Sequence, residues 1–271
     1  MRRDRFLDFR ALLMRKTGTH FFAQCSGAMQ TDIAIGTITP SGNRTVERVT
    51  QAICATLAGV TPLFTRIPVF GNTSPDQVAA NPYDWPAMLQ AAELLSHAEP
   101  AAICWNGSKG GDYGFDIDER LCADITARTG LPAVTSALAT LDALRRLEAR
   151  RIALITPYTT AAQARGIANF TNKGFAVVAE RHAGLSDNLS YGAVPPGEIA
   201  AMARAAVAEE AAEAIVIFCT NFNGAPAAAM LEAQTGLPVI DSAAAGVWAA
   251  LRAAGVDTSP TVTSWGRIFS L

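Results

Sequence analysis

TGLPAVTSALATLDALRRL (residues 129–147) and TGLPVIDSAAAGVWAALRA (residues 235–253) are two passes of one pattern. Each opens on a helix-ending glycine and a proline, then runs through a short apolar stretch into an Ala-rich, helix-forming one. Working outward, an apolar run ending in a polar turn precedes each copy: AAICWNGSKG from Ala101 and AIVIFCTNFNG from Ala214. Further upstream, IAIGTITP from Ile33 pairs with RIALITPY from Arg151. Three matched blocks in the same order indicate two half-chains of about 110 residues that share one plan.

β-Branched runs at 33–38, 101–105, 151–155, 175–178 and 214–219 alternate with helical stretches at 74–98, 116–129, 138–148 and 200–211. Strands alternating with helices of this length predict βαβ units and a mainly parallel sheet. The expected fold is α/β, with two pseudosymmetric halves, each a small mainly parallel sheet flanked by helices. The halves are expected at 31–132 plus 239–271 and at 133–238, with the active-site cleft between them at the strand ends.

Composition excludes several classes. The 271 residues carry 22 Lys+Arg against 24 Asp+Glu, a net charge of −2, which argues against a nucleic-acid partner. Half the residues are hydrophobic and 17% charged, too apolar for a disordered chain. No run approaches the roughly 20 apolar residues of a membrane helix, and no membrane partner is expected. Residues 1–30 form a basic extension whose apolar run is broken by Asp8 and Arg10, so it does not read as a signal peptide, and the expected compartment is cytoplasmic. Cys25, Cys54, Cys104, Cys122 and Cys219 are odd in number, widely spaced and without a CxxC pair, which argues against a disulfide framework or a zinc ribbon.

Superposing the repeats sets Trp105 against Phe218, Asn106 against Cys219, Gly107 against Thr220 and Ser108 against Asn221. One half then presents a thiol to the cleft and the other an amide. Backbone N–H donors in CTNFNG are expected to tune the Cys219 thiol below its usual range, suiting it to nucleophilic or acid–base work. His20, His97 and His182 lie in unrelated contexts, and no metal-ligand spacing occurs. GSKGGDYG (107–114) matches neither a dinucleotide fingerprint nor a P-loop; Gly110 and Gly111 are expected to permit a tight loop. TPSGNRT (39–45) and TPYTT (156–160), which follow equivalent strands, suit a small carboxylate or oxyanion, or simply cap helices.

GTITPSGNRTVER (36–48), TRIP (65–68), TPY (156–158), SDNLSYG (186–192) and CTN (219–221) occur in the order found in maleate cis–trans isomerases, which the chain resembles from about residue 33 onward. The wider group includes arylmalonate decarboxylases and the aspartate, glutamate and hydantoin racemases; GRIF (266–269) is similar to the decarboxylase ending. The resemblance implies catalysis without metal or organic cofactor. It implies that Asn43 binds a substrate carboxylate, that Tyr158 assists, that Asn188 contributes a further amide, and that Cys219 gives or takes a proton. It also places Asn106 where the isomerases and racemases keep a second cysteine, with Cys104 two residues earlier, read as core. An amide cannot add to an alkene or exchange a proton at neutral pH. The decarboxylases also lack that cysteine, and their oxyanion pocket corresponds here to Gly107, Ser108, Tyr158, Thr220 and Asn221. The expected activity is that of an enzyme similar to maleate isomerase, acting on a small (di)carboxylic acid, in a homo-oligomer. One-thiol decarboxylation, racemisation, and carboxylate binding without turnover remain open alternatives.

Overall fold

In the computed structural model, residues 32–68 and 83–271 are described here; the basic extension at 1–30, Cys25, and the start of the helix expected at 74–98 lie outside them. The first half runs β1 (Ile33–Pro40), α1 (Thr45–Cys54), β2 (Val60–Ile67), α2 (Trp85–Ser96), β3 (Ala102–Trp105), a short α3 (Gly110–Tyr113), α4 (Asp116–Thr129) and β4 (Ala133–Thr135). After α5 (Ser136–Arg146) the plan repeats as β5 (Arg151–Thr156), α6 (Thr160–Asn172), β6 (Ala176–His182), α7 (Asn188–Ala193), α8 (Pro196–Glu209), β7 (Ala214–Ile217), α9 (Ala228–Thr235), β8 (Val239–Asp241) and α10 (Ser242–Ala253). Among the described residues no helix is long and apolar enough to cross a membrane.

Both sheets are four-stranded and parallel, ordered β2-β1-β3-β4 and β6-β5-β7-β8. Parallel neighbours need crossovers, and the helices supply them while covering strands that are apolar on both faces, such as the fully buried AIVI of β7. In each sheet the chain leaves the central pair in opposite directions, so the strand ends open a crevice between β1 and β3, and again between β5 and β7. Residues 33–271 form one compact unit.

Two expectations are corrected. β4 belongs to the first sheet and β8 to the second, so the crossing points fall at 135/136 and 241/242 rather than before Ala133 and Val239. The second correction concerns register. Ile38 lies opposite Trp105, and in the duplicate Ile155 lies opposite Ile217. Asn106 N–H donates to the Ile38 carbonyl (3.0 Å) just as Phe218 N–H donates to that of Ile155 (2.8 Å). Asn106 is therefore the counterpart of Phe218, and Gly107 that of Cys219. The letter match was one residue out, and in a strand a one-residue slip exchanges the two faces.

Candidate active site

The two strand-end loops meet over a cavity of about 110 Å³. Eight of the predicted residues line it: Asn43, Gly107, Ser108, Tyr158, Asn188, Cys219, Thr220 and Asn221. Asn106 does not. Its side chain turns away from the cavity, donates from Nδ2 to the Ala243 carbonyl (3.0 Å), and lies against Gly246, where a Cβ would come within 2.8 Å of it. Asn106 therefore does not face the cleft as expected; like its counterpart Phe218, it packs inward.

Amides and hydroxyls lock the loops together. Asn43 Oδ1 accepts from the N–H groups of Thr45 (2.9 Å) and Val46 (3.0 Å), closing the first turn of α1. Its Nδ2 donates across to Thr220 Oγ1 at 3.1 Å. Asn221 Oδ1 accepts from Arg44 N–H at 3.2 Å, while its Nδ2 donates to the backbone and side-chain oxygens of Asn188. Thr220 N–H donates to Ser108 Oγ (3.3 Å), and Ser108 shares a hydrogen bond with the Tyr158 hydroxyl (3.3 Å). Asn188 Nδ2 is a buried nitrogen without a protein acceptor, a donor available to a ligand in the cavity.

Cys219 sits two residues past β7, in the loop rather than at the strand end, and is only 5% exposed. Its own N–H donates to Ser242 Oγ (3.1 Å), fixing the loop on the first turn of α10. Burial pushes the thiol up to about 11 from an ordinary 9.0, although the N–H groups of Asn221 and Phe222 and the Tyr158 hydroxyl favour the thiolate. The expected lowering is therefore corrected: desolvation exceeds the hydrogen bonds, and Cys219 holds its proton at neutral pH. Burial likewise raises Tyr158 well above its usual range, with the Cys219 charge adding to the effect. Alkylation follows thiolate content, so labelling of Cys219 by iodoacetamide, mapped by mass spectrometry, is expected to stay slow at pH 8. It should climb about tenfold per pH unit towards 11; a plateau near pH 9 would contradict the burial argument.

Pattern reading missed the other end of the cavity. Lys109, within GSKGGDYG, lines it beside Asp112 and Arg165. Arg165 Nε pairs with Asp112 Oδ1 at 2.6 Å, bringing α6 against α3, and Asn169 Nδ2 adds bonds to the Gly111 and Asp112 carbonyls (3.0 Å each). Burial lowers Lys109, opposed by the charges of Asp112 and Cys219. Gly110 and Gly111 prove to be helical; a Cβ on them would lie 1.7 Å from Asp118 Oδ2 and 2.1 Å from the Phe218 ring, so close packing demands glycine there, not a loop. Tyr191, inside SDNLSYG, stands edge-on to Tyr158 at 5.6 Å. Among the described residues no cluster of His, Cys, Asp and Glu could hold a metal ion.

The family described as arylmalonate decarboxylase matches residues 87–269. A maleate isomerase of Nocardia farcinica is 28% identical over 239 residues, covering 86% of this chain and 94% of that protein. An arylmalonate decarboxylase of Bordetella bronchiseptica is 30% identical over 185 residues, covering 68% and 77%. The solved structure of the Nocardia farcinica maleate cis–trans isomerase bound to TRIS superposes with a TM-score of 0.76 at 26% identity, covering 88% of this chain and 97% of that one.

Proposed function

The chain belongs to the arylmalonate decarboxylase family, and on that footing we propose that it is an enzyme working on a small carboxylic acid through one thiol, Cys219, as proton donor. The observation that carries this reading is the pair Gly107 and Cys219: the position opposite the thiol has no side chain, so no second thiol faces Cys219 across the cleft. Of the reactions its relatives' names cover, decarboxylation of a malonate-type acid asks least of such a site.

One carboxylate of the substrate rests on neutral donors, Asn188 Nδ2 and the hydroxyl of Ser108, which line the cavity, while the Tyr158 hydroxyl is kept for the Cys219 thiolate. The bond from the reacting carbon to the other carboxylate breaks, CO₂ leaves, and the electron pair remains as an enediolate whose oxygens those donors stabilise. Cys219 Sγ gives its proton to the carbon, and solvent reprotonates the thiolate. A thiol held at about 11 is loaded with its proton at pH 7 and is a far stronger acid than the carbon it serves. The partner in this reading is a small carboxylate. Lys109 and Arg165 bring two cationic side chains to the far end of the cavity beside Asp112, which favours an acid with a second anionic group.

Maleate isomerisation is the second reading, supported by the 94% coverage of the Nocardia farcinica enzyme. Proton NMR in heavy water separates the two. Incubated with methylmalonate, phenylmalonate and maleate, the protein is expected to release a monocarboxylate carrying one deuterium from a malonate. Conversion of maleate to fumarate with both malonates untouched would overturn the decarboxylase reading.

A further inference from the structure

The position opposite Cys219 is not merely vacant. A Cβ built on Gly107 would lie 2.2 Å from Trp105 Cζ2, 2.4 Å from Cε2 and 2.8 Å from Cη2, three atoms of the six-membered ring of the indole. Real Cβ atoms do not approach carbon that closely, so any side chain at 107 requires the indole to move. Trp105 is 1% exposed, the last residue of β3, and it lines the cavity.

The indole is braced. Tyr83 meets it edge-on, centroids 5.6 Å apart at 79°. The Tyr83 hydroxyl donates to Asp118 Oδ2 at 3.4 Å, and Asp118, fully buried on α4, is packed against Gly110 so tightly that no Cβ fits between them. Ile38, Ile103, Leu121 and Met88, all fully buried, belong to the same apolar cluster. A ring packed among these groups moves only by giving up their contacts or by filling the cavity it lines.

We propose that Trp105, braced by Tyr83 and Asp118, is the residue that restricts this cleft to a single thiol, by denying a side chain to the position opposite Cys219. Glycine at 107 is then a consequence of the tryptophan at 105. Since residues i and i+2 of an extended segment share a face, a large side chain ending β3 competes directly with any side chain two positions on. In the second half the counterpart of Trp105 is Ile217, a smaller residue that leaves Cys219 its Cβ and Sγ. The asymmetry between the two repeats thus lies in the strand-end residue, Trp against Ile. Its steric content stands alone; its meaning for the reaction rests on the one-thiol reading.

A stability cycle tests the steric content without any substrate. Gly107→Ala in the otherwise unchanged protein should lower the folding equilibrium constant, from urea denaturation, by roughly tenfold to a hundredfold. In a Trp105→Leu background the same change should cost less than about threefold. Trp105→Phe, which ends short of the indole's benzo edge, serves as a second background in case the leucine variant does not fold. Additive effects in every folded background would overturn the proposal.

The functional arm uses Trp105→Leu/Gly107→Cys. Its new thiol should be alkylated under conditions that leave it unlabelled in Gly107→Cys alone, and the double variant should exchange the α-hydrogen of an enantiopure 2-phenylpropionate for deuterium with loss of optical purity. Equal labelling of both Cys variants counts against the gate. Intact coupling and selective labelling, with no exchange and no activity in the parent protein, leave the gate standing and count against the one-thiol reading instead.

Discussion

Replacing Cys219 with alanine is expected to reduce product formation and deuterium incorporation by at least about a thousandfold, while the fold survives. Everything around Sγ is arranged for one protonated thiol. The N–H groups of Asn221 and Phe222 and the Tyr158 hydroxyl await the thiolate left after transfer, and the opposite position has no group to substitute for it. Removing one buried sulfur next to Phe222 and Tyr158 costs on the order of 1–2 kcal/mol, within what a domain of this size tolerates. Circular dichroism of Cys219→Ala should therefore show native secondary structure. NMR with the substrate identified in the heavy-water screen reads the activity; a variant that keeps more than a tenth of parent turnover would remove Cys219 from the mechanism.

Asn43→Ala is expected to be the most damaging polar substitution in the site, costing about 2–4 kcal/mol in urea denaturation. The amide makes three bonds at once: two cap α1 and one crosses to Thr220 on the other half. Alanine leaves the Thr45 and Val46 N–H groups buried without an acceptor, and unmade buried bonds cost more than made ones gain. Binding should weaken in parallel, since Thr220 loses its side-chain hold on the first half. Asn43→Asp keeps the cap acceptor but not the donor to Thr220, so it should recover much of the stability and little of the affinity. Equal damage from both variants would show that the cap is not what Asn43 supplies.

Much of this molecule was legible in its letters. Parallel α/β architecture followed from β-branched runs alternating with helical stretches, and α4 spans 116–129 as expected. β2, β4 and β8 escaped notice, two of them because three-residue strands carry almost no periodicity. Of the predicted site residues, all but Asn106 line one cavity.

What composition and motif order determined on their own was the duplication, the parallel sheets, and Cys219 as the thiol at a strand-end cleft. Tertiary structure alone decided three further matters. Register chose Gly107 rather than Asn106 as the residue opposite Cys219, because a slip of one position in a strand reverses which face a side chain joins. Burial, a property of the packed surroundings, turned the thiol towards holding its proton where the local N–H groups alone implied the reverse. And the Trp105 ring, two residues away in sequence yet lying across the place of a Cβ on Gly107, determined how many thiols the cleft can hold.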